Sequence, residues 1–98
     1  MNIIANTLFI EITKFNMSTE SKITKLLAGI CLNYGTSLQT IVRQFGIKAS
    51  TPELEQMIDE LHDRGYVHSI EKSPKGIFAQ ITSEGNEKAK DLLEYAVA

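Results

Sequence analysis

Between Thr36 and Val67 the chain carries two apolar stripes of helical period separated by a glycine, and this pattern constrains the fold of the 98 residues more than any other. Leu38, Ile41, Val42 and Phe45 fall at i, i+3, i+4 and i+7, one face of a 3.6-residue repeat. Thr36 and Gln39 have capping-box spacing, which predicts where that helix starts. Gly46 then supplies a residue that accepts positive φ, and the helix is expected to stop there. A second start follows at Ser50-Thr51-Pro52-Glu53: a hydroxyl cap, a proline tolerated in the first turn, and a carboxylate placed to reach back. Leu54, Met57, Ile58 and Leu61 form the second stripe, and Gly65 ends it before Tyr66-Val67.

The rest of the chain supplies the elements around this pair. Ser18 or Thr19 caps an expected helix running to about Tyr34, with Ile23, Leu26, Leu27, Ile30 and Tyr34 on its buried side and Leu32 pointing away. Beyond Gly65, Tyr66, His68 and Ile70 alternate with Val67 and Ser69, the period of a strand. The turn-rich Glu71-Lys72-Ser73-Pro74-Lys75-Gly76 leads to a second strand, Ile77–Ile81, so a hairpin with a loop of several residues is expected. Thr82 or Ser83 caps a last helix with the stripe Gly85, Ala89, Leu92, Leu93 and Ala96. Residues 1–16 alternate apolar and polar side chains around Leu8, Ile10 and Ile12 and read as an N-terminal extension, a strand or dimer arm. Met17-Ser18-Thr19-Glu20 also has the form of a protein start, which would make that extension dispensable to the domain of residues 17–98.

A chain of this length, 43% hydrophobic, supports one small domain with a modest core. The expected core is Ile23, Leu26, Leu27, Ile30, Leu38, Ile41, Val42, Phe45, Leu54, Ile58, Leu61, Val67, Phe78 and Ile81. So small a core gains from pairing with a second copy, and the C-terminal stripe offers the surface for a homodimer. No apolar run approaches the roughly 20 residues that span a bilayer, and the N-terminus lacks a basic leader. The single Cys31 has no internal disulfide partner, which together points to a cytoplasmic protein without membrane contact.

Four stretches carry a resemblance: Leu38–Gly46, Leu61-His62-Asp63-Arg64-Gly65-Tyr66-Val67, the turn Lys72–Gly76, and Ile81-Thr82-Ser83-Glu84-Gly85. From about Ser21 to Leu93 the chain resembles the winged helix-turn-helix transcription regulators of the multiple-antibiotic-resistance and phenolic-acid-repressor type. The resemblance implies a mainly α fold with a small β-hairpin: a three-helix core, a wing and a C-terminal dimerisation helix. It implies duplex DNA as the partner, with the third helix in the major groove and the wing on the backbone or minor groove. Onto that geometry Arg43, Lys48, Ser50, Thr51, Gln56, Lys72 and Lys75 map as the DNA-binding residues, with Lys22 and Lys25 near flanking phosphates.

The charge of the third helix departs from that pattern. From Glu53 to Arg64 there are five carboxylates, Glu53, Glu55, Asp59, Glu60 and Asp63, against one arginine, and the whole chain has a formal charge of −2. A carboxylate can accept from cytosine N4, but five on one helix are repelled by phosphates. The alternative reading is a winged-helix module that binds a protein partner through Glu55, Asp59, Glu60 and Asp63, without touching DNA.

Enzyme chemistry finds no support. His62 and His68 lack metal-ligand spacing, and no phosphate loop, nucleophile elbow or zinc-protease motif occurs, so neither cofactor nor metal is expected. Cys31 reads as a small apolar residue at a helix edge, with a redox role the lesser reading.

Overall fold

The computed structural model describes residues 18–97; the N-terminal extension of residues 1–16 lies outside that range. The described residues form four helices and one two-stranded antiparallel hairpin: α1 (Thr19–Leu32), α2 (Leu38–Gln44), α3 (Thr51–Asp63), β1 (Val67–Ser73), β2 (Gly76–Ile81) and α4 (Ser83–Val97). None of these helices is long and apolar enough to cross a membrane.

Hydroxyl caps set the helix starts. Ser18 Oγ accepts from the Ser21 amide, Ser50 Oγ from the Glu53 amide, and Thr82 Oγ1 from the Gly85 amide. Each satisfies a donor that a first turn leaves without an intrahelical partner. At α2 the cap is Ser37, whose Oγ accepts from the Thr40 amide, one residue later than the expected Thr36. Gln39 does not close a capping box; its Oε1 accepts from the Ile77 amide of β2 instead, at 3.0 Å. The Glu53 carboxylate likewise turns away from its own cap and meets Lys22 of α1. Between α2 and α3, Gly46 takes φ +66°, a conformation costly for a residue with a Cβ.

α1 runs through the centre and touches α2, α3, α4 and β2. Its stripe meets those of α2 and α3 in one core built on Leu26, Leu27, Leu38, Ile41, Leu54, Met57, Ile58 and Leu61, all with at most 2% of their surface exposed. Ile47, in the α2–α3 connection, is also buried, although it belongs to neither helical stripe. Phe45, expected in the core, is half-buried at its edge, and Tyr34, expected on the inner side of α1, is 75% exposed because α1 ends at Leu32 before the stripe reaches it. Leu32 points outward as expected, 58% exposed.

The hairpin departs most from the expected pattern. Its ladder continues to Ser73↔Gly76, so the loop is only Pro74-Lys75. The register slips between His68 and Glu71, where Ser69 takes φ +54°. This bulge breaks the strict alternation read from the sequence: Val67 and Ile70, three apart, both pack inward, and Glu71 turns out. On β2 the inward set is Ile77, Ala79 and Ile81, with Ile77 buried, so Phe78 is not a core residue. Phe78 stands opposite Glu71 on the outer face, half-buried. α4 closes the fold against α1; Ala89 is fully buried and Leu92 packs on the core, so this part of its apolar stripe is used internally.

Candidate functional site

Only some of the residues singled out for binding lie where the hairpin, α2 and α3 meet; Gln56 borders Thr19, Glu20 and Arg64 on the α1 side of α3. Gln39 holds Ile77 of β2, and Lys72, the residue opposite Ile77, reaches Glu55 of α3 with Nζ 3.8 Å from Oε2. The basic loop residue Lys75 follows at the tip, exposed, and its amide donates to Ser73 Oγ. Arg43 lies one turn beyond Gln39 on α2, exposed, donating to Thr40 Oγ1. Lys48, Ser50 and Thr51 lead into α3 and are exposed, as is Gln56 one turn on. Ser50 Oγ accepts the cap bond from the Glu53 amide and keeps its own proton to donate, and Thr51 beside it is exposed.

Of the five carboxylates on α3, three have a cationic partner. Lys22 Nζ lies 2.9 Å from Glu53 Oε2, with those side chains 15% and 32% exposed, the most sheltered ion pair among the described residues. Glu55 has Lys72, and Glu60 accepts from Arg64 Nε at 3.1 Å. Asp63 has only His62, 3.9 Å away, which counts as a cation only when protonated. Asp59 makes no ion pair among the described residues. Glu55, Asp59 and Asp63, spaced four apart, share one side of α3.

The Glu60–Arg64 pair is readable in sequence as an i, i+4 contact. Lys22–Glu53 and Lys72–Glu55 are not: they depend on how α1 and the hairpin pack on α3, and no local spacing announces either. The Gln39–Ile77 bond has the same origin, since it depends on how β2 packs on α2.

Arg64 also binds Glu20 of α1 through both terminal nitrogens, which holds the Glu20 carboxyl below the ordinary carboxylate range and the guanidinium above its own. The Cys31 thiol donates to Asn86 Oδ1 at 3.2 Å and ties α1 to α4. Among the described residues no three His, Cys, Asp or Glu side chains converge on a point that can hold a metal ion. No protein-family model, curated protein or solved structure matches the chain.

Proposed function

We propose that this fold is a winged helix and that the protein is a DNA-binding transcription regulator acting as a homodimer. The observation that carries the reading is the Lys72–Glu55 contact, which brings a basic hairpin alongside the first turns of α3. In that arrangement Lys48, Thr51 and Gln56 approach base edges and phosphates from the helix while Lys72 and Lys75 approach the backbone from the wing. The ion pairs reduce the main objection. Lys22, from outside the helix, offsets Glu53, so the electrostatic handicap at a phosphate is somewhat smaller than the sequence of the helix implies; Arg64 is already part of that sequence and is shared with Glu20. Lys72 is not lost to DNA by this pairing, because a long, half-exposed contact contributes little and yields readily to a phosphate.

The test is titration with random-sequence duplex DNA at low and moderate salt. A protein that neutralises phosphates loses affinity steeply as salt rises, with a log–log slope of about −0.9 per phosphate contacted. A flat response, or no binding at low salt, rejects the reading.

One observation favours the alternative, a module that binds a basic protein partner through α3. Asp59 and Asp63 are exposed on the same side of the helix with no Lys or Arg partner among the described residues. Coulomb attraction to a basic surface is the natural use of such a stripe.

A further inference from the structure

The outer face of the hairpin carries a feature unrelated to the basic side. A cavity of about 150 Å³ lies between the α1–α2 connection and the two strands, lined by Tyr34, Thr36, Ser69, Glu71, Phe78 and Gln80 among others. The bulge at Ser69 creates it: the register slip turns Glu71 outward, opposite Phe78, so that a carboxylate and an aromatic ring share one face. Tyr34 borders the same space from the other side, with 75% of its surface exposed although it is one of the large apolar side chains of the fold.

The lining decides what such a cavity can hold. Glu71 is the one charged residue in it, and it makes no ion pair among the described residues. No lysine or arginine lines it, so an anion has no counter-charge there. A metal ion would find a single carboxylate among neutral hydroxyl and amide oxygens, little charge to hold a hard cation. A purely apolar guest would strip water from Glu71 without replacing its interactions. A weakly hydrated organic cation suits the set, its charge near Glu71 and its alkyl groups beside the aromatic rings of Tyr34 and Phe78. The volume is of the order that admits a benzene-sized guest, which suits a trimethylammonium head.

We propose that Tyr34, Phe78 and Glu71 form a binding site for a small organic cation of the alkylammonium class. The site lies on a different face from Lys72 and Lys75 and does not depend on DNA binding.

The probe is choline, titrated at constant ionic strength into the full chain while backbone amide signals are followed by NMR. Saturable shifts at Gly35, Thr36 and Glu71 are expected. The neutral carbon isostere of choline, in which tert-butyl replaces trimethylammonium, should bind about tenfold more weakly, since it fills the same space without the charge. Glu71→Gln and Tyr34→Ala should each weaken choline by several-fold; both residues are exposed, so neither change threatens folding. Equal binding of choline and its isostere, unchanged affinity in both variants, or shifts that never saturate would each overturn the proposal.

Discussion

Arg64, just past the end of α3, grips Glu20 of α1 across 44 residues of sequence: Nη1 donates to Oε1 at 2.7 Å and Nη2 to Oε2 at 2.8 Å. The same guanidinium holds Glu60 through Nε, so one side chain links the first turn of α1 to the last turn of α3. A planar donor fork meeting a carboxylate edge-on is the geometry in which an arginine pair is best oriented. Its contribution is electrostatic and therefore depends on pH.

Hydrogen bonds from Arg64 lower the Glu20 pKa in the folded chain, while the unfolded chain keeps a value of about 4.3. A carboxylate depressed by folding adds stability that is fully present above the unfolded pKa and is lost as pH falls through the folded one. The melting temperature of the native protein should thus exceed that of Glu20→Gln at neutral pH, and the gap should close as pH drops below about 4. A gap that is constant from neutral pH into that acid range would show that Arg64 does not discriminate between the two states of Glu20.

Three glycines, Gly29, Gly76 and Gly85, sit where a Cβ has no room, and at the two helical ones the obstacle differs in kind. On Gly29 it would overlap Cγ2 of Ile41, where α1 crosses α2; on Gly85 it would overlap the Tyr66 carbonyl oxygen and lie 2.9 Å from Ile81 Cγ1. Gly29→Ala should cost about 1–3 kcal/mol, the usual range for overpacking a filled core. Gly85→Ala should cost at least as much, because its obstacle is backbone rather than a side chain that can rotate. Chemical denaturation of both variants checks the pair, and a Gly85→Ala protein as stable as the native one would mean that α4 is not seated on Tyr66.

The helical stripes were legible because each was long enough for its period to show. Leu54, Met57, Ile58 and Leu61 leave no other face for α3 to bury, and all four are buried. What stayed hidden depended on single residues whose partners lie far along the chain. Thr36 and Ser37 are both sound caps by type; Ser37 takes the role, and Gln39, the box partner of Thr36 by spacing, is held by β2 instead. The alternation of β1 is interrupted at a bulge, which turns Glu71 outward, while on β2 plain alternation from Ile81 puts Ile77 rather than Phe78 in the core. The candidate site shows the same division. Its members could be named from the sequence, whereas the cations that offset the α3 carboxylates come from α1 and the hairpin, beyond any local spacing.

The hairpin register has a direct energetic consequence. Ile77→Ala removes a side chain that is 3% exposed and should cost about 2–5 kcal/mol. Phe78→Ala removes a larger side chain from a half-buried outer position and should cost less. If thermal melts order the two the other way, the strand is shifted by one residue from the ladder described here.

The homodimer is testable apart from DNA. Part of the α4 stripe is consumed internally, Ala89 wholly and Leu92 against the core, which leaves half-buried Leu93 to contribute to any contact with a second copy. Sedimentation of the full chain at high micromolar concentration should give a dimer, and Leu93→Glu should shift it toward monomer by placing a charge in that contact. A native chain that sediments as a monomer refutes the dimer, and a dimer indifferent to Leu93→Glu places the contact elsewhere.

The two readings of α3 separate at Asp59 and Asp63. These are the carboxylates to change, because Glu53 and Glu60 hold Lys22 and Arg64, so neutralising them would disturb contacts with α1 as well as the charge, and Glu55 has Lys72 beside it. If α3 enters the major groove, Asp59→Asn with Asp63→Asn removes repulsion at the phosphates, and binding to random duplex DNA should tighten. Lys72→Ala and Lys75→Ala should then each weaken binding and reduce the salt slope by about 0.9. If α3 is instead a surface for a basic protein, the same double Asn variant should lose capture of that partner, and the hairpin lysines should have little effect. Salt sensitivity alone does not separate the two, since a charged protein interface also associates more slowly as salt rises. The sign of the response to the Asn pair does: a gain in DNA affinity supports the groove, and a loss of partner binding supports the protein surface. No change in either assay would make Asp59 and Asp63 solvated charge without a binding role, and both readings of that side of the helix would fall together.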